Sequence, residues 1–229
     1  MNLGQMRTIS RYYLDDTSAE RWKDPEMNYY ENRAYQYYWN KLVDESYDAL
    51  LKTPVLLNIV ANVDIVQCPV DFYKCKRLEI IMGNRIIPLT AKHNYDDVMP
   101  LNGVSSQALY MPIYSFQGTS ILLEPLPAIN MPNALKLHYW PTVQSYDYGG
   151  SLQVGGMVLD SDQPFGGFNQ QWHDMIPLRA ARIAKQNREE EDVSNIDNDL
   201  KEMEIPFYDA IEKMTSARSY VQPFFTGGY

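Results

Sequence analysis

Most of the usual vocabulary of chemistry is scarce in this 229-residue chain, which has 2 cysteines, 3 histidines and 20 Lys/Arg against 29 Asp/Glu. The resulting formal charge of −9 argues against a general nucleic-acid binder, which needs a basic surface to neutralise phosphates. An acidic wall suits a different task, letting DNA pass without adhering. Cys68 and Cys75 match no metal-ligand spacing; a disulfide between them is one reading, and reduced, half-buried thiols are the one preferred here. No run approaches the roughly 18 apolar residues of a membrane span. The opening MNLGQMRTIS has no apolar signal-peptide core, so synthesis in a cytoplasm, away from membranes, is expected.

Catalytic motifs are missing as well. The glycine pairs 149–150, 155–156, 166–167 and 227–228 form neither G-x-G-x-x-G nor a phosphate loop ending in Lys-Ser/Thr. There is no G-x-S-x-G, and neither cysteine has a histidine close in sequence. His93, His138 and His173 lie far apart and read as structural, so no metal and no cofactor is expected. Asp160-Ser161-Asp162 has the paired carboxylates a hard cation takes, but Asp-Ser-Asp-Gln-Pro is also ordinary turn sequence, the reading preferred here. Glycoside hydrolysis needs only two carboxylates and a groove, and 29 acidic residues offer too many pairs for a motif to decide it.

What the chain does have is rings: 18 Tyr, 4 Trp and 7 Phe, with 11 Met. Helices are expected at about 2–14, 25–46, 170–189 and 195–219, around a β-rich middle at 54–160. This is an α+β domain, with N- and C-terminal helices flanking a central antiparallel β module over 1–219. Asp24-Pro25-Glu26 reads as a helix start with Asp24 as cap. Met27, Tyr30, Ala34, Tyr37 or Tyr38, and Leu42 then make the inward stripe, leaving Tyr35 and Trp39 on a different face. Gly83-Asn84 and Gln117-Gly118 read as hairpin turns. Leu135, Leu137 and Tyr139 alternate with Lys136, His138 and Trp140 as a half-buried strand should. Residues 144–167 read as a loose hairpin, with a short strand pair around Gly155-Gly156. Ser194 to Asp197 resembles a capping box, and Pro206 is expected to kink the last helix.

Interface centres enrich Tyr, Trp, Phe and Met. Tyr35 and Trp39 are therefore expected to face a neighbouring subunit, and Tyr220, Phe224, Phe225 and Tyr229 of a C-terminal arm at 220–229 to lie against an adjacent subunit or another partner. The plainer alternatives are tyrosines lying flat as amphipathic surface covers and a disordered tail. Glu189, Glu190, Glu191 and Asp192 read as a solvated linker or, if the protein forms a ring, as an acidic patch facing its bore.

The order of motifs resembles the tailed-bacteriophage head–tail adaptor (connector) family. Leu14 to Met27, LDDTSAERWKDPEM, is similar to that family's opening turn between two helices. Cys68-Pro69-Val70-Asp71-Phe72 looks like the start of its β region, and Gly83 to Leu89 like its next hairpin. Ile121 to Pro125 and Leu137 to Pro141 match its paired strands ending in proline. Asp160 to Phe165 resembles the run leading to its C-terminal helices. The resemblance spans about residues 3–218, but Pro177, the long 142–167 segment and the aromatic tail depart from it. It implies a structural virion protein at the head–tail junction, made in the host bacterial cytoplasm. Roughly twelve copies would form a ring below the portal protein, contact tail or nozzle proteins, and extend the channel through which DNA passes unbound. The competing readings are a phage-associated cell-wall glycoside hydrolase and a glycan-binding tail component.

Overall fold

A computed structural model describes residues 1–92, 112–147, 149–188 and 193–216. The chain divides into two compact units, one continuous over Leu51–Pro141 and one assembled from both ends, Met1–Leu50 with Thr142 onward. The architecture is α+β, with helices from the two termini flanking antiparallel sheet, as the alternating texture of the sequence implied.

In the helical unit, α1 (Leu3–Tyr13) starts at a reciprocal cap, with the Asn2 side chain accepting from the Gln5 amide while Gln5 reaches back to the Asn2 amide, both at 2.9 Å. Its Leu3 and Gly4 amides donate to the carbonyls of Asp162 and Asp160, satisfying two more orphan donors of the first turn. Asp162 in turn accepts from the Val158 and Leu159 amides at 2.7 Å, which closes a tight turn.

The next helix, α2 (Asp24–Asp44), begins with Asp24 inside its first turn. Asp24 therefore does not cap, contrary to the sequence expectation; its carboxylate instead pairs with Arg7 and Arg11 of α1. The turn before it is organised by Asp16, which accepts from the amides of Glu20, Arg21 and Trp22. Burial opposes ionisation of Asp16, but those donors and Arg11 outweigh it and hold the carboxyl below its usual range.

Both C-terminal helices complete the bundle. Residues 170–172 form a single 3₁₀ turn before α3 (Met175–Asn187), so the expected start near 170 moves to 175. Pro177 falls in the first turn, where a missing amide costs no ladder bond. α4 (Ser194–Ser216) runs through Pro206 and buries Ile196, Leu200, Phe207 and Ile211. The expected end of this helix at 219 lies outside the described residues. α3, studded with buried Ala180, Ala181 and Ala184, packs against α1, α2 and α4; small side chains permit such close approach.

The β unit contains β1 (Val55–Ile59), β2 (Ile65–Gln67), β3 (Phe72–Met82), β4 (Arg85–Pro88), β5 (Ile113–Gln117), β6 (Ser120–Glu124) and β7 (Met131–Pro141). One sheet has the order β1-β7-β3-β4 and the other β2-β6-β5, with every ladder antiparallel. Gly83 (φ +59°) turns β3 into β4 and Gly118 (φ +61°) turns β5 into β6, as the hairpin signals predicted. Leu135, Leu137 and Tyr139 of β7 point into a core with Ile59, Leu78, Ile80, Ile121 and Leu123.

The β-rich stretch is not one module. β8 (Gln144–Tyr146), β9 (Leu152–Val154) and β10 (Gln163–Pro164) form a separate small sheet in the helical unit, in the order β10-β8-β9. The expected strand pair around Gly155-Gly156 is corrected: β9 pairs back to β8, and both glycines turn the chain at φ +108° and +103°.

Candidate functional site: exposed aliphatic surfaces on each unit

The residues expected to face a neighbour separate into two groups. Tyr35 and Trp39 are 0% exposed, so neither is available to another subunit, which overturns their assignment to an outer face. The hydroxyl of Tyr35 donates to the Gln144 carbonyl at 2.6 Å and accepts from the Phe165 amide at 3.0 Å, tying α2 to the small sheet. Trp39 meets the Tyr35 and Phe165 rings edge-on. Buried positions along α2 advance by alternate steps of three and one, from Met27 through Tyr30, Glu31, Ala34, Tyr35, Tyr38 and Trp39 to Leu42 and Val43. Two adjacent rows are therefore inward, not one. Tyr220, Phe224, Phe225 and Tyr229, and the acidic Glu189, Glu190, Glu191 and Asp192, lie outside the described residues, as does His93.

The remaining polar clusters are held inside each unit. Glu79, buried on β3 between Leu78 and Ile80, is ringed by His138 at 2.9 Å, Arg77 at 3.0 Å and Lys136 at 3.9 Å. His173 lies 3.2 Å from the Phe168 carbonyl, and burial holds its imidazole below its usual pKa. Cys68 and Cys75 are free, and burial pushes both thiols up to about 11, which makes them poor nucleophiles near neutrality. Among the described residues, no group of three or more His, Cys, Asp or Glu is arranged to hold a metal ion.

Glu31 is the most perturbed acid, with burial pushing its carboxyl up to about 8. One of its oxygens meets Ser10 Oγ, which also lies 2.9 Å from the Pro177 carbonyl. The single serine hydroxyl proton can serve only one of these two acceptors at a time, and when it serves the carbonyl a protonated Glu31 can complete the network by donating to Ser10. Glu31 thus joins α1, α2 and α3 from inside the core and reaches no surface.

Each unit exposes aliphatic side chains, beside the rings of Tyr12, Tyr29 and Tyr208 on the helical unit and of Tyr73 and Phe116 on the β unit. In the β unit, the 60–64 and 125–130 loops are bonded to each other, with the Asn62 amide donating to the Pro127 carbonyl at 2.8 Å and the Ala61 amide to Asn130 at 2.7 Å. They present Val60, Val63, Leu126 and Ile129, the last 61% exposed, where turns normally carry polar residues. Ile129 also walls a trough of about 530 Å³ lined by Ile81, Met82, Gly83, Asn130, Met131, Pro132 and Ala134, with no charged side chain. In the helical unit, Leu152 and Val154 of the edge strand β9 are exposed, as are Val158 and Leu159 just beyond it.

Charge divides as unevenly. The β unit has seven Lys/Arg and six Asp/Glu, a net +1, which leaves −10 on the helical unit out of the chain's −9. Neither aliphatic surface follows from the aromatic-rich composition. The usable signal was aliphatic residues inside Pro- and Asn-rich turn sequence, such as PLPAINMPN at 125–133. No protein-family model and no curated protein matches this chain.

Proposed function

We propose that the chain is a non-catalytic assembly subunit, the head–tail adaptor that its motif order resembles, forming a ring of about twelve copies below a portal. The observation that carries this reading is that each unit exposes an aliphatic surface of its own. A closed ring repeats one heterologous contact, so each subunit needs two different faces, and large exposed apolar patches mark such contacts. The concentration of negative charge on the helical unit supports a second part of the proposal, that this unit lines a DNA passage and repels the duplex as it slides. The competing hydrolase reading would need two carboxylates in a groove. The trough on the β unit is uncharged, and the aromatic cleft of the helical unit at Tyr12 and Tyr13 is lined, among the described residues, by a single carboxylate, Asp15.

Negative-stain microscopy of the 229-residue chain mixed with its portal tests the proposal. Rings stacked coaxially on the portal are expected. Monomers that ignore the portal, or clearing of purified cell walls in a turbidity assay, would overturn it.

A further inference from the structure

We infer that the trough on the β unit, walled by Ile81, Met82, Ile129, Met131 and Pro132, receives the C-terminal segment Ser219–Tyr229 of another copy of the chain. This rests on the assembly reading and names the occupant of one of its two surfaces.

The trough has the chemistry of a receptor for rings. Its lining is uncharged, and it offers two half-buried thioethers, Met82 and Met131, from the ends of β3 and β7. Methionine adapts its shape and makes favourable contacts with aromatic edges. Its volume of about 530 Å³ falls within the range of specific binding pockets. Ile129 on one lip belongs to the same bonded loop pair as Val60, Val63 and Leu126, so the apolar surface continues outward from the trough.

The segment has the complementary chemistry. SYVQPFFTGGY carries no charged side chain and includes four rings, with Phe224 and Phe225 adjacent as an anchor pair. Pro223 fixes one backbone angle beside that anchor, which lowers the entropy lost on docking. The described part of α4 runs to Ser216, and a stretch of 13 residues, the number that follow it, can span about 40 Å if extended, at roughly 3.3 Å per residue. That length suits a reach from one subunit to the next. In a ring each copy then gives one segment and accepts one, the arrangement a heterologous contact requires.

Two measurements test this. In the first, a benzophenone amino acid replaces Phe225 in the 229-residue chain, isotopically light and heavy copies are mixed, assembled on portal and irradiated, and adducts are mapped by mass spectrometry. Adducts joining the probe of one copy to residues 81–82 or 129–132 of the other are expected. Adducts confined to one copy, to the portal or to any other surface would overturn the inference.

In the second, a labelled Ser219–Tyr229 peptide is titrated against a variant ending at Arg218, which needs no ring. Binding that weakens at least about tenfold in Ile129→Asp, while Ile129→Val stays within about twofold of the parent, is expected. Ile129 is exposed, so its substitution leaves the fold intact as a control, checked by circular dichroism. Equal binding by all three proteins would overturn the docking. Rings that form on portal with unchanged peptide affinity in Ile129→Asp defeat the docking and leave the assembly reading standing. Monomers that ignore portal defeat the assembly reading, and the docking with it, since no second copy then presents its segment.

Discussion

The two units hold themselves together differently. The β unit has an aliphatic core closed by backbone ladders, with its buried charges paired beside it: Asp71 accepts from the Tyr139 hydroxyl and from Lys52, and Glu79 is held by Arg77 and His138. The helical unit is knitted by side-chain polar groups. Tyr35 bonds the small sheet and Tyr38 donates to Glu204, while Asn32 grips both the amide and the carbonyl of Met157. Glu31 completes the set by joining three helices. The difference follows from backbone chemistry. Strands satisfy their peptide groups by pairing, whereas helices meeting short irregular strands leave donors and acceptors that only side chains can reach. The helical unit should therefore be the more sensitive to single polar substitutions.

The sharpest way to break that comparison is Trp39→Ala, expected to destabilise the protein by about 3–5 kcal/mol in urea titration, since a fully buried ring is lost. Next comes pH. The unfolded carboxyl of Glu31 ionises from about 4.5 upward and the folded one only near 8. Its contribution is thus complete below 4.5 and is lost as pH rises towards 8, at roughly 1.4 kcal/mol per pH unit. Glu31→Gln, whose amide can still donate to Ser10, should flatten this slope and stabilise the protein at pH 8. A variant that keeps the parent slope would place the titration elsewhere.

Smaller effects separate the two cores. Tyr35→Phe removes the hydroxyl that bonds both the Gln144 carbonyl and the Phe165 amide and should cost about 1–3 kcal/mol, whereas Tyr139→Phe leaves Asp71 its lysine partner and should cost about 1 kcal/mol. Equal losses would show that the contrast between the units is not energetic. Smallest of all, Ile129→Asp should change unfolding free energy by less than about 0.5 kcal/mol, because the side chain already faces solvent.

The β unit was largely legible because alternation, hairpin glycines and β-branched runs are local signals. Leu135, Leu137 and Tyr139 face inward as their spacing required, and Gly83 and Gly118 sit where the turns needed them. α2 was misread because the stripe rule assumes one packing neighbour. This helix meets α1, α3 and the residues of the small sheet, so a second row carrying Tyr35 and Trp39 is also inward. The small sheet itself was invisible as such, since three strands of two or three residues have no period to read. The candidate surface was missed for a related reason: aliphatic residues in turns look like ends of strands until their loops are placed together.

Because 51–141 is spliced into a unit made from both chain ends, the order of synthesis matters. A ribosome delivers α1 and α2 first, with Trp22, Tyr35 and Trp39 still lacking the partners that residues beyond 142 will bring. The intervening strands can close upon themselves while that wait lasts. Those rings find cover only once Gln144, Phe165, Phe168 and Arg188 have left the ribosome.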